Sequence, residues 1–206
     1  PGLINTFAHL VSPSAEMRIW DQGIFSWNAY ECSGAPLFSG ERHAALIQGI
    51  TKSRRSLNRR SAAHFIRRLR GLHRARPVAD FLNELVCLDV ETNGLGPDAT
   101  ITTAAAYDGR HIRLYVRGKN LDKLVPDLRR ARVVVTFNGT SFDLPMLRQM
   151  FGWNVAMRHL DLMPILNALG YRGSLKQIEA ARQIIRPPGL LRTGAEAVLL
   201  WKQFQN

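Results

Sequence analysis

Asp89 and Glu91 interrupt an apolar, β-branched run, Val86-Cys87-Leu88-Asp89-Val90-Glu91-Thr92, at a spacing of two. Side chains alternate across a strand, so Val86, Leu88 and Val90 are expected on one face and Cys87, Asp89 and Glu91 on the other. Two carboxylates on one surface repel, and burying them unpaired is costly. A divalent cation with oxygen ligands is the usual compensation. The plain alternative is a solvent-exposed strand face with two incidental acids. Cys87 argues against it and is expected to be a small buried hydrophobe beside them.

A third carboxylate follows a second apolar run. Residues 132–137 read as a buried strand that passes through Asn138-Gly139 into an amphipathic helix over 143–151, with Gly152 as its stop signal. Asp143 therefore stands at a strand-to-helix turn. By itself it reads as an N-cap or first-turn acid worth about 1 kcal/mol.

The elements that must hold these acids can be drawn from hydrophobic period and turn residues. Strands are expected at 86–91, 99–107 and 111–116, the last two joined by an Asp108-Gly109 hairpin turn. A helix over 120–131, capped by Asn120, leads to strand 132–137. Helices follow at 143–151, 161–169, 174–183 and 194–204. A β-meander, a crossover helix and a strand returning beside the first make an α/β fold with a mixed sheet flanked by helices.

Leu88-Asp89-Val90-Glu91-Thr92-Asn93-Gly94-Leu95, the 137–145 segment from Phe137 to Pro145, His159-Leu160-Asp161-Leu162-Met163-Pro164, Ser174-Leu175-Lys176-Gln177-Ile178-Glu179 and Ala197-Val198-Leu199-Leu200-Trp201 occur in one order. That order resembles the YprB-like branch of the DEDD 3′-to-5′ exonucleases, which have an RNase H-like fold. The resemblance implies a metal-dependent 3′-to-5′ exonuclease acting on DNA, less readily RNA, with two Mg²⁺ or Mn²⁺ ions. Asp89 would bridge the ions, Glu91 would bind one and orient water, and Asp143 would ligate the other. Asn93, Gly94, Asn138 and Ser141 are the candidate substrate contacts. A helicase partner is a further implication.

The same resemblance calls for a fourth acid on a late helix, in a Tyr/His-Asn-x-x-Asp motif after Trp201. The sequence reaches Asn206 without that motif, and Glu196 is the one carboxylate on the final helix and the possible fourth ligand. The expectation is a fragment, a site completed by another chain, or a weak or inactive enzyme that degrades DNA slowly. The rival reading is a nucleic-acid-binding or complex-tethering protein that keeps the nuclease fold. Asp161 reads as a helix cap, Glu179 as a surface or ion-pair residue and Trp201 as core.

Charge is concentrated in one place. Of a formal net charge of +12, nearly all comes from residues 51–76, which contain ten Lys or Arg and no acid. From Ser61 onward, Ala62, Phe65, Ile66, Leu69 and Leu72 fall on one helical face and Arg60, Arg67, Arg70 and Arg74 cluster opposite. Such a ridge suits a phosphate backbone, DNA in particular, with strongly salt-dependent binding.

The divisions expected are a small helical module at 1–50, a basic helical connector at 51–80 and the RNase H-like domain at 81–206. Trp20, Trp27 and Tyr30 would anchor the first. By resemblance it is a degenerate helix-hairpin-helix element, but Leu10-Val11-Ser12-Pro13-Ser14 lacks the glycine that lets backbone amides approach phosphate. Packing or partner binding is its expected role before DNA binding. Cys32 and Cys87, without CxxC spacing, indicate neither a disulfide framework nor a zinc site. With no transmembrane-length apolar run and no signal-peptide pattern, a cytoplasmic protein without a membrane partner is expected.

Overall fold

The computed structural model describes residues 2–34, 37–155, 158–187, 189 and 193–205. The chain forms two compact units, Pro1–Leu82 and Asn83–Asn206. Among the described residues no helix is long and apolar enough to cross a membrane.

The first unit is helical: α1 Pro13–Asp21, α2 Trp27–Cys32, α3 Gly40–Asn58, α4 Ala62–Ile66 and α5 Pro77–Phe81. Phe7, Ile19, Trp27, Tyr30, Ile50, Phe65, Leu69 and Phe81 are its buried apolar centre. The helix α3 runs through residue 50, across the division drawn there from composition. The long basic helix expected from Ser61 is not formed. α4 ends at Ile66, and Gly71, with φ +50°, opens a 3-10 turn over Gly71–Ala75. A left-handed glycine breaks the helical period on which the ridge depended.

The second unit is a five-stranded sheet, β1 Leu85–Thr92, β2 Ile101–Tyr107, β3 Ile112–Val116, β4 Val133–Thr136 and β5 His159–Asp161, in the order β3-β2-β1-β4-β5. β1 pairs antiparallel with β2 and parallel with β4; β2 pairs antiparallel with β3, and β4 parallel with β5. The helices are α6 Leu124–Leu128, α7 Asp143–Phe151, α8 Leu162–Ala168, α9 Leu175–Ala181 and α10 Gly194–Gln205. One face of the sheet, with Val86, Leu88, Val90, Ala104, Ala106 and Val134, packs on Leu124 and Leu128 of α6 and Met146 and Leu147 of α7. This is the mixed, helix-flanked RNase H-like sheet.

Two elements differ from the sequence reading. The helix expected over 120–131 is a 3-10 turn, Leu121–Lys123, followed by α6. Pro126 has no N–H to give and is tolerated only in a first turn, so the α-helix starts late. Asn120 does not cap it: its Oδ1 accepts from the Val116 N–H at 2.8 Å and its Nδ2 donates to the Leu114 carbonyl at 3.0 Å. The other difference is β5, whose three residues are too few for a period to be read.

Candidate functional site

β1 carries its residues in alternation: Val86, Leu88 and Val90 are buried, while Cys87 and Asp89 are exposed and Glu91 is half-buried. The exposed Cys87 corrects the expectation of a buried thiol. Across the β1–β2 ladder Asp89 faces Ala105 and Glu91 faces Thr103, both small neighbours.

Asp143 is the first residue of α7, after Phe142, and Gly152 ends the helix in the left-handed region at φ +61°. Asp143 is buried, 4% exposed, and does not cap its helix. Its Oδ1 instead accepts from the Val90 N–H at 3.2 Å, between the two acids of β1. Pairing of β1 with β4 ends at Cys87–Val135, and Asp143 takes up this donor further along the strand. Asp143 thus reaches β1 between the positions of Asp89 and Glu91, near the carboxyl ends of two adjacent parallel strands, where open α/β sheets place ligands.

Each of the three carboxyls is held above its ordinary range. The surrounding protein partly desolvates the Asp89 carboxyl and raises it although the residue is exposed, with Arg186 and Lys176 pulling it back. Burial and the Asp89 charge raise Glu91, against Lys176. Burial, then Asp89, push Asp143 to about 7, opposed by its own and the Val90 N–H and assisted by Asp161. Mutually repelling oxygen donors are the chemistry that suits Mg²⁺ or Mn²⁺. Geometry is less complete. Among the described residues no three His, Cys, Asp or Glu side chains stand together as a metal-holding group.

The turn that presents Asp143 has its own support. Asn138 is left-handed at φ +62°, and a Cβ on Gly139 would lie 2.0 Å from Thr136 Oγ1, so only glycine fits there. Asp161, 4% exposed at the end of β5, accepts from the N–H groups of Asn138 at 2.8 Å, Thr140 at 3.0 Å and Met163 at 3.1 Å. Burial alone would raise its carboxyl, but the donors at Thr140, Met163 and Asn138 hold it below the usual range. The Met163 bond is the cap read from the sequence; the other two reach across to the turn and were not legible from spacing.

The remaining candidates separate. Asn93 accepts from the Thr100 N–H at 2.8 Å, and the Gly94 carbonyl accepts from the Thr92 hydroxyl at 2.6 Å, so both shape the loop after β1. Ser141 is exposed, its N–H donating to the Asn138 carbonyl at 3.1 Å. Glu196 is half-buried in the first turn of α10. Among the four arginines, Arg67 and Arg70 are exposed and Arg60 and Arg74 half-buried. Arg60 donates to the Asp80 carbonyl at 2.6 Å with its guanidinium 4.5 Å from the Phe81 ring centre, so it serves the first unit's packing. The four do not share one helix: α4 ends before Arg67, and Arg74 lies in the 3-10 turn that follows Arg70. Glu179 pairs with Arg186, as an ion-pair residue.

A cavity of about 290 Å³ beside Glu91 was not foreseen. Its walls include Thr102, Thr103, Lys119, Trp201 and Phe204. The Trp201 and Phe204 rings stack at 5.5 Å and 30°, and Lys119 Nζ lies 4.9 Å from the Phe204 ring centre. Trp201 is buried, in line with the core role read from the sequence, and forms part of this wall.

The family model described as RNase_H superfamily matches residues 86–206, more than half of the chain. The chain belongs to the RNase H superfamily. Members of this superfamily are generally nucleases, hydrolases of phosphodiester bonds, and RNase H-like nucleases typically use divalent metals. The second unit has that fold, with the acids on its central strand and on the helix after the neighbouring one. Among solved structures the chain is similar to the family B DNA polymerase of the hyperthermophilic archaeon Pyrobaculum calidifontis, at 16% identity and a TM-score of 0.47. That match covers 57% of this chain and 21% of the polymerase chain, so the chain spans about a fifth of that protein. No curated protein matches the chain.

Proposed function

We propose that the second unit is a metal-dependent 3′-to-5′ exonuclease domain acting on DNA, of the YprB-like kind that the motif order resembles. The observation that carries this reading is the Val90 N–H bond to Asp143, which ties the third carboxylate to the strand bearing the other two. Asp89, Glu91 and Asp143 would hold Mg²⁺ or Mn²⁺, which when bound supplies Lewis-acid activation of water and of the phosphodiester.

The chain's own residues supply the rest of the chemistry. Asp143, raised to about 7, must release its proton to become a ligand, so binding strengthens as pH rises through that value. Lys176 and Arg186, close enough to Asp89 to lower its pKa, would meet the anionic backbone of the substrate. The cavity beside Glu91 would receive a nucleobase against Trp201 and Phe204, aromatic stacking being tolerant of sequence. Arg67 and Arg70 would add sequence-independent phosphate contacts. A helicase partner remains part of the proposal through the family resemblance alone.

A second reading, a nucleic-acid-binding or tethering protein that keeps the fold, is favoured by one observation: the three carboxylates do not converge as they stand. End-labelled single-stranded and duplex DNA with Mn²⁺ separates the two. Stepwise loss from the 3′ end, abolished by Asp89→Asn, Glu91→Gln and Asp143→Asn, is the expected result. Binding without cleavage in parent and variants alike gives the second reading, and Mn²⁺ affinity unchanged in all three variants sinks the metal site.

A further inference from the structure

Asp161 lies outside the acid set, yet it is the buried carboxylate whose bonds run to the turn that presents Asp143. Its two oxygens are divided. Oδ1 accepts from Asn138 and Met163, and Oδ2 accepts from Thr140. The turn so gripped has Asn138 at φ +62°, a left-handed conformation that Asn tolerates, followed by a glycine whose absent side chain makes room for Thr136. The bonds that close it, Ser141 N–H to the Asn138 carbonyl at 3.1 Å and Leu144 N–H to the Gly139 carbonyl at 2.9 Å, lead straight into α7.

β5 makes the grip possible. Thr136 faces Asp161 across the parallel β4–β5 pair, and Thr136 Oγ1 is 2.8 Å from His159 Nε2, so the strand end carrying Asp161 is itself fastened to the strand that runs into the turn. The chain of contacts is short: Asp161 to the Asn138 and Thr140 amides, through the turn to the first residue of α7, and from the Asp143 carboxylate to the Val90 N–H.

We infer that Asp161 is a positioning residue for the candidate metal site, fixing the 138–140 turn so that the Asp143 carboxylate reaches β1. The inference rests on the reading of Asp143 as a ligand for its functional half. Its structural half is independent of any metal, because the Val90 amide reports where Asp143 is. Groups that orient metal ligands in this way typically contribute about 10- to 100-fold to metal affinity.

Two measurements on the full chain test it, comparing the parent with Asp161→Asn, which turns an amide NH₂ toward the Thr140 N–H. In native-state hydrogen exchange without metal, Val90 protection is expected to fall at least about tenfold relative to the amides of α6, a selectivity that general destabilisation would not produce. In calorimetry with Mn²⁺, affinity is expected to fall about tenfold or more. Unchanged Val90 protection, or Mn²⁺ affinity unchanged in the variant, overturns the inference. A parent chain that binds no Mn²⁺ overturns the ligand reading, and with it the functional half, while the Val90 result still decides the structural half. If Asp161→Asn does not fold, Asp161→Glu, which keeps the charge and displaces it by one methylene, replaces it in both measurements.

Discussion

Two buried carboxylates, one in each unit, face opposite circumstances. Glu16 in α1 is 2% exposed, and its Oε1 accepts from Thr6 Oγ1 at 2.7 Å, Phe7 N–H at 2.6 Å, Ala8 N–H at 2.9 Å and the Arg76 guanidinium at 2.7 Å. Asp143 is 4% exposed and has the Val90 N–H at 3.2 Å and the like charge of Asp89 nearby. The first charge is fully compensated inside the protein. The second has little beyond backbone N–H groups to set against burial and a like charge. Burial alone does not mark a reactive acid; the deficit of partners does.

The largest effect expected from breaking this comparison is at Glu16. Glu16→Ala removes the acceptor of two backbone amides and strands Arg76, which should cost about 3–5 kcal/mol of first-unit stability. Denaturant melts followed by hydrogen exchange of residues 2–34 would measure it, and a loss below about 1 kcal/mol would erase the contrast.

Asp143→Asn should act with the opposite sign. An acid raised from 3.8 to about 7 is favoured in the fold in its protonated form, so the stability it contributes is complete below about pH 4 and is lost as pH rises through 7. At pH 8 without metal, the amide is expected to stabilise the second unit by roughly 2–4 kcal/mol while abolishing stabilisation by Mn²⁺. A metal-free melt at pH 8 in which the variant is no more stable than the parent contradicts this.

The two units should consequently slope in opposite directions with pH. In the first, burial and the neighbouring charges of His64, Arg68 and Arg76 lower His9 from 6.5 to about 3. His9 is held neutral, with Nε2 2.9 Å from Ser53 Oγ, so stability is complete above about pH 6.5 and falls as pH drops toward 3. Exchange rates measured unit by unit between pH 4 and 8 should diverge, and a common slope would refute the assignment. The smallest effect is at the surface: Arg67→Glu with Arg70→Glu should lower DNA affinity about tenfold or less and flatten its salt dependence, whereas Arg60→Ala should cost stability instead.

What could be read from the chain followed from local periods. The alternation around Asp89 and Glu91, the β-meander, the Gly152 stop and Asp143 at a strand-to-helix turn all depend on neighbours within a few residues. What escaped depends on distant ones. Asp161 reads as a cap because its third donor is adjacent, while its bonds to Asn138 and Thr140 span more than twenty residues. Arg60 reads as a surface cation until Phe81 lies beneath it. Cys87 shares the acid face as expected, but it stands exposed between Tyr107 and Val135 of the flanking strands rather than buried.

The parallel pairing of β1 with β4 also sets when in folding the acid set can exist. Asp89 and Glu91 are aligned as soon as β1 pairs with β2 through near-sequence contacts, whereas Asp143 arrives only after the chain between Thr92 and Val133 has looped back and β4 has docked. Non-local pairing of this kind is the slow part of assembly. An incompletely folded chain therefore carries two of the three acids and not the third, so a cation captured by the full set would act as a late lock on the finished sheet.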